Sequence, residues 1–284
     1  MITVTGVLPA RGLLEQAQLP SGRSPALYRK GCRNNAVVLV QMSCSRPICR
    51  VVVACSILLI LLSCLNLYAE GDRVFLHEDF IDLQNWKPLF FPKIKRHTEY
   101  TIEKDGDRNY LRAESNASAS GLILKKEFNV FEYPKLKWRW KISNIYLKGN
   151  AEEKSGDDYP IRIYVIFKYD PDKASFGQKI RYGLAKTIYG EYPPQSSLTY
   201  IWESKAHNKR IITSPFAKEA KMIILEAGGD NVWKWLQEEV NIVEDYRKAF
   251  GSMPPPIASL AIMNDSDNTG EKAVSYVDFI EIFK

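Results

Sequence analysis

Apolar and cationic side chains alternate strictly over residues 136–142, and this pattern restricts the fold more than any other feature of the sequence. A period of two residues puts neighbouring side chains on opposite faces of a β-strand. The apolar set is Leu136, Trp138, Trp140 and Ile142, and the cationic set is Lys137, Arg139 and Lys141. We therefore expect a strand with one face in a core, to which Trp138 and Trp140 belong, and the other face in water.

Similar short runs recur from residue 73 onward, each bounded by turn-forming residues. They predict strands at 73–80, 98–104, 109–115, 120–129, 134–143, 159–169, 197–204, 209–214, 221–227, 256–264 and 273–283. Short strands in such number predict an all-β protein, a mostly antiparallel β-sandwich, in one domain over residues 70–284. Residues 176–189 and 232–250 predict two peripheral helices instead, and Gly251 is expected to end the second helix.

Residues 42–69 have the order of a secretion signal. Arg46 and Arg50 precede an apolar run at 51–65, and Ala69 is a small residue at the expected cleavage point. We expect residues 1–41 to be a wrongly assigned or disordered leader, with translation starting at Met42. Two alternatives stay open, an uncleaved membrane anchor and a lipoprotein attached through Cys64. The run is short for a bilayer span, which needs about 20 residues. We expect a periplasmic or cell-surface protein.

The segment before residue 70 also holds the net charge and the thiols. It has seven basic residues and one acidic residue, so the remainder has 32 of each sign. A neutral remainder does not indicate nucleic-acid binding, which needs a basic surface. All five cysteines lie in the same segment, at Cys32, Cys44, Cys49, Cys55 and Cys64. Residues 70–284 therefore contain no disulfide and no thiolate nucleophile, and we expect membrane contact only through the signal or a lipid anchor.

Several local strings carry a family resemblance. They are Lys-Trp-Arg-Trp at 137–140, Gly-Asp-Asp at 156–158 before the strand at 162–167, Tyr-Ile-Trp-Glu at 200–203, Asp-Tyr at 245–246, and the polar loop at 262–270. Together they resemble the bacterial family catalogued as domain of unknown function 3047, which carries no assigned activity. The resemblance implies an exported, jelly-roll-like β-sandwich, similar in architecture to carbohydrate-binding modules and to jelly-roll glycan hydrolases and lyases. Fold likeness alone does not fix function.

Three carboxylates are candidates for catalysis. Asp157 and Asp158 come just before a strand that carries Arg162, and like charges held together by a guanidinium raise one pKa enough for acid–base work. The alternative is a turn with an ion pair. Glu203 lies on the strand face opposite Tyr200 and would supply the second carboxylate that a glycosidase needs. Its alternative is a solvated strand end.

The loop at 265–270 alternates oxygen-bearing side chains before a glycine, as calcium loops do. Asp265 and Asp267 are its candidate metal ligands, and Asn268 is a candidate ligand-binding residue. The twelfth position is Tyr276, where an EF-hand has glutamate. A plain polar turn and a sugar-contacting loop stay open as alternatives to calcium.

The other binding candidates come from mixed or aromatic strand faces. Arg162 and Tyr164 share a strand face that suits a groove, and Trp202 precedes a loop and is expected to face a sugar ring. Asp245 lies in the second predicted helix, where aspartate is a poor helix former. We expect it to dock on Arg162, with a solvated helix face as the alternative.

These patterns predict an exported β-sandwich that binds a carbohydrate or a similar polar ligand in an aromatic-walled groove. The first alternative is a glycoside hydrolase or polysaccharide lyase on the same scaffold. The second is a structural or interaction protein of the cell envelope. Convergence of Arg162, Glu203 and the aspartates in one open cleft would favour the enzyme.

Overall fold

The computed structural model describes residues 73–92, 94–172, 176–177, 182 and 193–284. In it the alternating segment forms strand β7 (Lys135–Ile142), whose apolar side chains are buried while the cationic ones are half-buried. The other strands are β1 (Val74–Glu78), β2 (Trp86–Leu89), β3 (Glu99–Asp105), β4 (Arg108–Asn116), β5 (Ala119–Leu124), β6 (Phe128–Asn129), β8 (Arg162–Phe167), β9 (Ser196–Glu203), β10 (Ile211–Thr213), β11 (Ala220–Ala227), β12 (Leu236–Asn241), β13 (Ile257–Asp265) and β14 (Lys272–Phe283). A short 3-10 helix (Lys154–Gly156) and the helix α1 (Ile242–Phe250) complete the described elements.

The strands form two sheets. The six-stranded sheet has the order β12-β7-β14-β4-β3, with β1 also paired to β14. The eight-stranded sheet has the order β10-β11-β9-β8-β13-β5-β2, with β6 also paired to β13. All these pairs are antiparallel except β9 with β11. The predicted fold class, a mostly antiparallel, jelly-roll-like β-sandwich, is confirmed.

Aromatic rings join the two sheets in a shared core. Trp138 and Trp140 of β7 pack edge to face, with ring centroids 5.3 Å apart. Trp138 lies 5.4 Å from Tyr200 of β9, and Trp140 lies 6.0 Å from Trp202 of the same strand. The prediction that Trp138 and Trp140 belong to the core is confirmed, and the apolar area that such rings bury stabilises the sandwich.

The second predicted helix is shorter than its periodicity indicated. Residues 236–241 form strand β12, which pairs with β7, and only Ile242–Phe250 is helical. The helix begins where the side chain of Asn241 accepts hydrogen bonds from the amides of Val243 and Glu244, both at 3.1 Å. It ends at Gly251, which has a left-handed φ of 71° and donates to the carbonyl of Arg247. The prediction of the helix end is confirmed, and that of the start is wrong.

Some predictions fall on undescribed positions. The signal at 42–69, the leader at 1–41 and Cys64 lie outside the described residues, as does most of the helix predicted at 176–189. The described residues all belong to one compact unit, Ser63–Lys284. None of the helices among them has the length and apolar character needed to cross a membrane.

Candidate functional site

A groove runs along the face of the eight-stranded sheet that points away from the core. Its floor is formed by Ile123 of β5, Tyr164 and Ile166 of β8, Ser197 of β9, and Ser259 and Met263 of β13. Strand register places these side chains side by side, because Ile166 lies opposite both Ser259 and Ser197. We call this depression the outer groove. It encloses about 920 Å³, within the size range of small-ligand pockets.

One wall of the outer groove is aromatic and comes from the edge strand β2 and the residues after it. Leu89, Phe90 and Phe91 line it. The Phe90 side chain is 56% exposed, and its ring stacks on the His97 ring with centroids 4.3 Å apart. The histidine therefore supports one face of Phe90 and leaves an exposed apolar ring surface at the groove.

Among the residues that the structure describes, the rim of the outer groove carries more cations than anions. Lys87, Lys125 and Lys168 line it together with Glu127. Lys168 donates to both carboxylate oxygens of Glu127, at 3.0 and 2.9 Å, and Lys125 donates to the backbone carbonyl of Gln84 at 2.7 Å. The groove therefore combines an apolar floor with amine donors at its edge.

A buried arginine holds the tyrosine at one end of the groove floor. The Arg162 guanidinium lies 5.3 Å from the Tyr164 ring and 4.8 Å from the Tyr159 ring. It forms ion pairs with Asp265 and, at 3.8 Å, with Asp157. Stacking between two rings and pairing with two carboxylates fix the guanidinium, so Tyr164 packs against a rigid neighbour.

Asp158 closes the polar loop after β13. Its carboxylate accepts hydrogen bonds from the Asn268 side chain at 3.0 Å, from the Asn268 amide at 3.3 Å and from the Thr269 amide at 2.6 Å. Gly270 has a φ of 70° and donates to the Ser266 carbonyl at 2.9 Å. The Asn268 side chain, predicted to bind a ligand, is engaged here by Asp158.

The carboxylates proposed for calcium do come together. Oxygen atoms of Asp158, Asp265 and Asp267 all lie within 4.8 Å of one another. The oxygens of Asp158 are engaged by loop donors, however, and Asp265 pairs with the Arg162 guanidinium, whose charge repels a cation. These contacts favour the alternative of a polar turn, in which the acidic side chains satisfy backbone and arginine donors.

Burial shifts the ionisation of these acids toward the neutral form. Burial raises the pKa of Asp157, and the Arg162 charge opposes that shift. Burial likewise raises the pKa of Asp265 well above its usual value, against the same opposing charge. The acids outnumber Arg162, and the raised pKa of Asp157 and of Asp265 favours the protonated form of these carboxyls, which lessens the excess negative charge.

Glu203 ends β9 on the same outer face and is also buried, at 0% exposure. One of its oxygens accepts from the Lys205 amide at 3.1 Å and lies 3.8 Å from His207 Nε2. The other oxygen has no hydrogen-bond partner among the described residues. Burial raises the pKa of Glu203, opposed by the Lys205 amide. This burial excludes the alternative interpretation of Glu203 as a solvated residue at the end of a strand.

Two predicted site residues lie elsewhere, and both predictions are wrong. Trp202 is fully buried against Trp140, and its indole nitrogen donates to the Gly228 carbonyl at 3.1 Å, because its strand face points into the core. Asp245 accepts from the Tyr200 hydroxyl at 3.3 Å instead of docking on Arg162. Tyr200 faces the core and Arg162 faces outward, so the two groups lie on opposite sides of the sheet.

The structure thus brings Asp157, Asp158, Arg162 and Asp265 together and places Tyr164 beside them in the groove. The aromatic wall at Phe90 and Phe91 was not found in the sequence. The signal was the mostly apolar stretch at residues 86–91. Pro88 in this stretch argues against a central strand, but proline is tolerated in an edge strand, and β2 is an edge strand.

Comparison with solved structures gives weak likenesses of fold. The family 11 carbohydrate-binding module of a Clostridium thermocellum cellulosomal cellulase is 12% identical, with a TM-score of 0.39 over 75% of this chain and 95% of that chain. Endoglucanase 3 of Trichoderma harzianum, from family GH12, is 7% identical, with a TM-score of 0.35 over 76% of this chain and 96% of that chain. A xyloglucanase domain from Sinorhizobium fredii, in complex with cellobiose, is 9% identical, with a TM-score of 0.35 over 70% of this chain and 93% of that chain. Likenesses this weak carry no argument about ligand or activity.

Sequence comparison is decisive about the family. No curated protein matches the chain. Residues 84–281, most of the chain, match the family described as "Protein of unknown function (DUF3047)". The resemblance drawn from the strings between residues 137 and 270 is confirmed, and the chain belongs to the DUF3047 family.

Proposed function

We propose that this protein binds a glycan in the outer groove. The observation that carries the proposal is the groove itself, about 920 Å³ with an aromatic wall, an apolar floor and amines at its rim. A sugar ring needs this combination, because its C–H face is apolar while its hydroxyls need polar partners. In this arrangement the exposed ring of Phe90 stacks on a sugar, and rim lysines donate to hydroxyl oxygens.

The buried acids support binding and weigh against glycan cleavage by these residues. A glycosidase needs two carboxylates that reach the scissile bond from an open cleft. Asp157, Asp158, Asp265 and Glu203 are all at most 6% exposed, and the aspartates are engaged by arginine, tyrosine or loop donors. We assign the three aspartates to holding the groove end and the polar loop.

The proposal extends to the location of the protein. The cationic flank, the apolar run and Ala69 support export to the periplasm or cell surface, either with residues 42–69 removed or with a lipid on Cys64. Mass spectrometry of the chain from fractionated cells tests this. A first residue of Glu70, or a lipid adduct on Cys64, supports export, and an intact first segment in the cytosol contradicts it.

Calorimetric titration of the full chain with a panel of neutral and acidic oligosaccharides tests glycan binding. For a glycan that binds, we expect Phe90→Ala to weaken affinity about tenfold, because the loss of a stacked ring costs about 1.4 kcal/mol. Phe216→Ala is the matched control, since Phe216 is 57% exposed, like Phe90, but does not line the groove. Absence of binding across the panel, or equal losses in the two variants, overturns the proposal.

A further inference from the structure

Four aromatic side chains cluster on the outer face of the six-stranded sheet. They are Tyr110, Trp233, Trp235 and Tyr276, which we call the aromatic patch. The Trp235 ring lies 5.5 Å from Tyr110 and 6.3 Å from Tyr276. This face is remote from the core and from the outer groove, which lies on the other sheet.

A lysine without an ion-pair partner lies at the centre of the patch. The Lys141 ammonium is 4.5 Å from the Tyr276 ring, 4.6 Å from Trp235 and 6.0 Å from Trp233. Among the described residues no carboxylate lies within ion-pair distance of it, whereas Lys137 on the same strand face pairs with Glu239 at 2.9 Å. Partial burial lowers the pKa of Lys141, and the charges of Glu103 and Asp105, neither of which is close enough to form an ion pair, oppose that shift.

Trp233 presents its ring to solvent from a strained backbone. Its side chain is 60% exposed, and its φ is 64°, a left-handed conformation that is unfavourable for a bulky residue. Hydrogen bonds hold the turn in place, from the Trp233 amide to the Ile142 carbonyl at 2.9 Å and from the Lys234 amide to the Asn231 carbonyl at 3.0 Å. Strain and apolar exposure at one residue are both costly, and such combinations persist at binding sites.

We propose that the aromatic patch is a second binding site, for a saccharide that carries a carboxylate. The sugar ring stacks on Trp233, and its carboxylate accepts hydrogen bonds from Lys141, which thereby gains an ion-pair partner in direct contact. The nearby anions are Glu103, which Arg112 engages at 3.2 Å, and Asp105, which acts on Lys141 only at longer range. Arg139, paired with Asp278, places a further cation 5.1 Å from the Trp235 ring.

Titration of the full chain with trigalacturonate, followed by calorimetry and tryptophan fluorescence, tests the proposal. Cellotriose is the neutral control. We expect trigalacturonate to bind at least tenfold more tightly than cellotriose and to lose affinity as salt is raised. Lys141→Met should weaken trigalacturonate binding about tenfold, and Lys137→Met is the matched control, expected to have no effect.

Trp233→Gly separates loss of the ring from loss of the fold, because glycine adopts the left-handed conformation without strain. We expect this variant to stay folded by circular dichroism and to lose trigalacturonate binding, while Phe216→Ala, at an exposed phenylalanine outside both the groove and the patch, leaves that binding unchanged. Equal affinity for the two trisaccharides, or equal effects of the two lysine variants, overturns the proposal. Binding to anionic lipid vesicles that depends on Trp233, without trigalacturonate binding, assigns the patch to membranes and overturns it as well.

Discussion

Each outer face of the sandwich carries an arginine–aspartate pair, but the surroundings of the two pairs differ. On the eight-stranded sheet the Arg162 and Asp265 side chains are 7% and 1% exposed. On the six-stranded sheet Arg139 and Asp278 pair at 2.9 Å and are 28% and 12% exposed. Asp278 has a second cation, Arg108, at 3.6 Å, so this site has excess positive charge near water. Arg162 instead has a second anion, and its site has excess negative charge out of water.

From this difference we expect burial, and not residue type, to decide what a charged pair contributes to stability. Water reaches Arg139, and Asp278 keeps Arg108 at 3.6 Å as a counter-charge, so we expect loss of Arg139 to cost little. The buried pair is different, because an acid left without its arginine has neither water nor a counter-charge. We therefore expect Arg162 to be needed for the structure at the end of the outer groove and Arg139 to contribute little to stability.

The largest expected effect is on stability after loss of the buried arginine. We expect Arg162→Met to lower the free energy of unfolding by about 3 to 5 kcal/mol, since it leaves buried carboxylates unpaired. Arg139→Met should cost less than about 1 kcal/mol. Urea denaturation of the two variants measures both values. Similar losses would show that burial does not distinguish the two pairs.

A smaller effect, with opposite signs on the two sheets, is expected in the pH dependence of stability. Burial raises the pKa of Glu203, so the folded state keeps this proton to higher pH than the unfolded state does. The wild-type chain therefore loses stability as pH rises from about 4.3, the unfolded value, through the folded pKa. We expect Glu203→Gln to gain stability relative to wild type over that window.

Glu114 on the six-stranded sheet provides the opposite case. Hydrogen bonds from Lys272 and Arg112 lower the pKa of Glu114. Its contribution is therefore present above about pH 4.3 and lost as pH falls through the folded pKa. Glu114→Gln should be less stable than wild type at pH 7 by less than about 1 kcal/mol, and the difference should vanish in acid. Urea midpoints of the wild type and both variants at pH 4, 5.5 and 7 test these predictions. If the stability difference from wild type changed with pH in the same direction for both variants, the comparison would be contradicted.

The smallest expected effect is that of metal removal. Because Asp158 and Asp265 are engaged by protein donors, we expect an unchanged melting temperature after chelation with EDTA and after addition of calcium. A ligand of the folded state stabilises it by mass action, so a fall in Tm on chelation would show that the acidic cluster holds a cation.

The sequence predicted those elements whose periodicity allows one explanation. Residues 136–142 alternate with a period that only a strand matches, and β7 has the predicted burial. Residues 236–240 were ambiguous, since Leu236 and Val240 are four apart, which suits one face of a helix and also one face of a strand. Pairing with β7 decided between them, and such pairing between distant segments is not visible in local spacing.

The site was predictable only in part for the same reason. The strings at 156–162 and 262–270 indicated that Asp157, Arg162 and Asp265 matter, and the structure brings them together. Their burial depends on neighbouring strands and loops, so an open catalytic cleft and a sealed ion-pair cluster had the same sequence signature. For Trp202 the alternation at 198–203 did indicate the core, since it places Trp202 on the same strand face as Leu198 and Tyr200. For Trp233 no local pattern indicated exposure.

Strand β14 has a consequence for how the chain reaches its folded state. Its twelve residues pair with β7 along one edge and with β4 and β1 along the other, so they complete the middle of the six-stranded sheet. Phe283 pairs with Val74, far away in the sequence, and contacts of such separation form slowly. Until residues 272–283 are in place, β7 and β4 expose unpaired edges that can associate with other chains. We therefore expect slow docking of residues 272–283 to raise the risk of aggregation during folding.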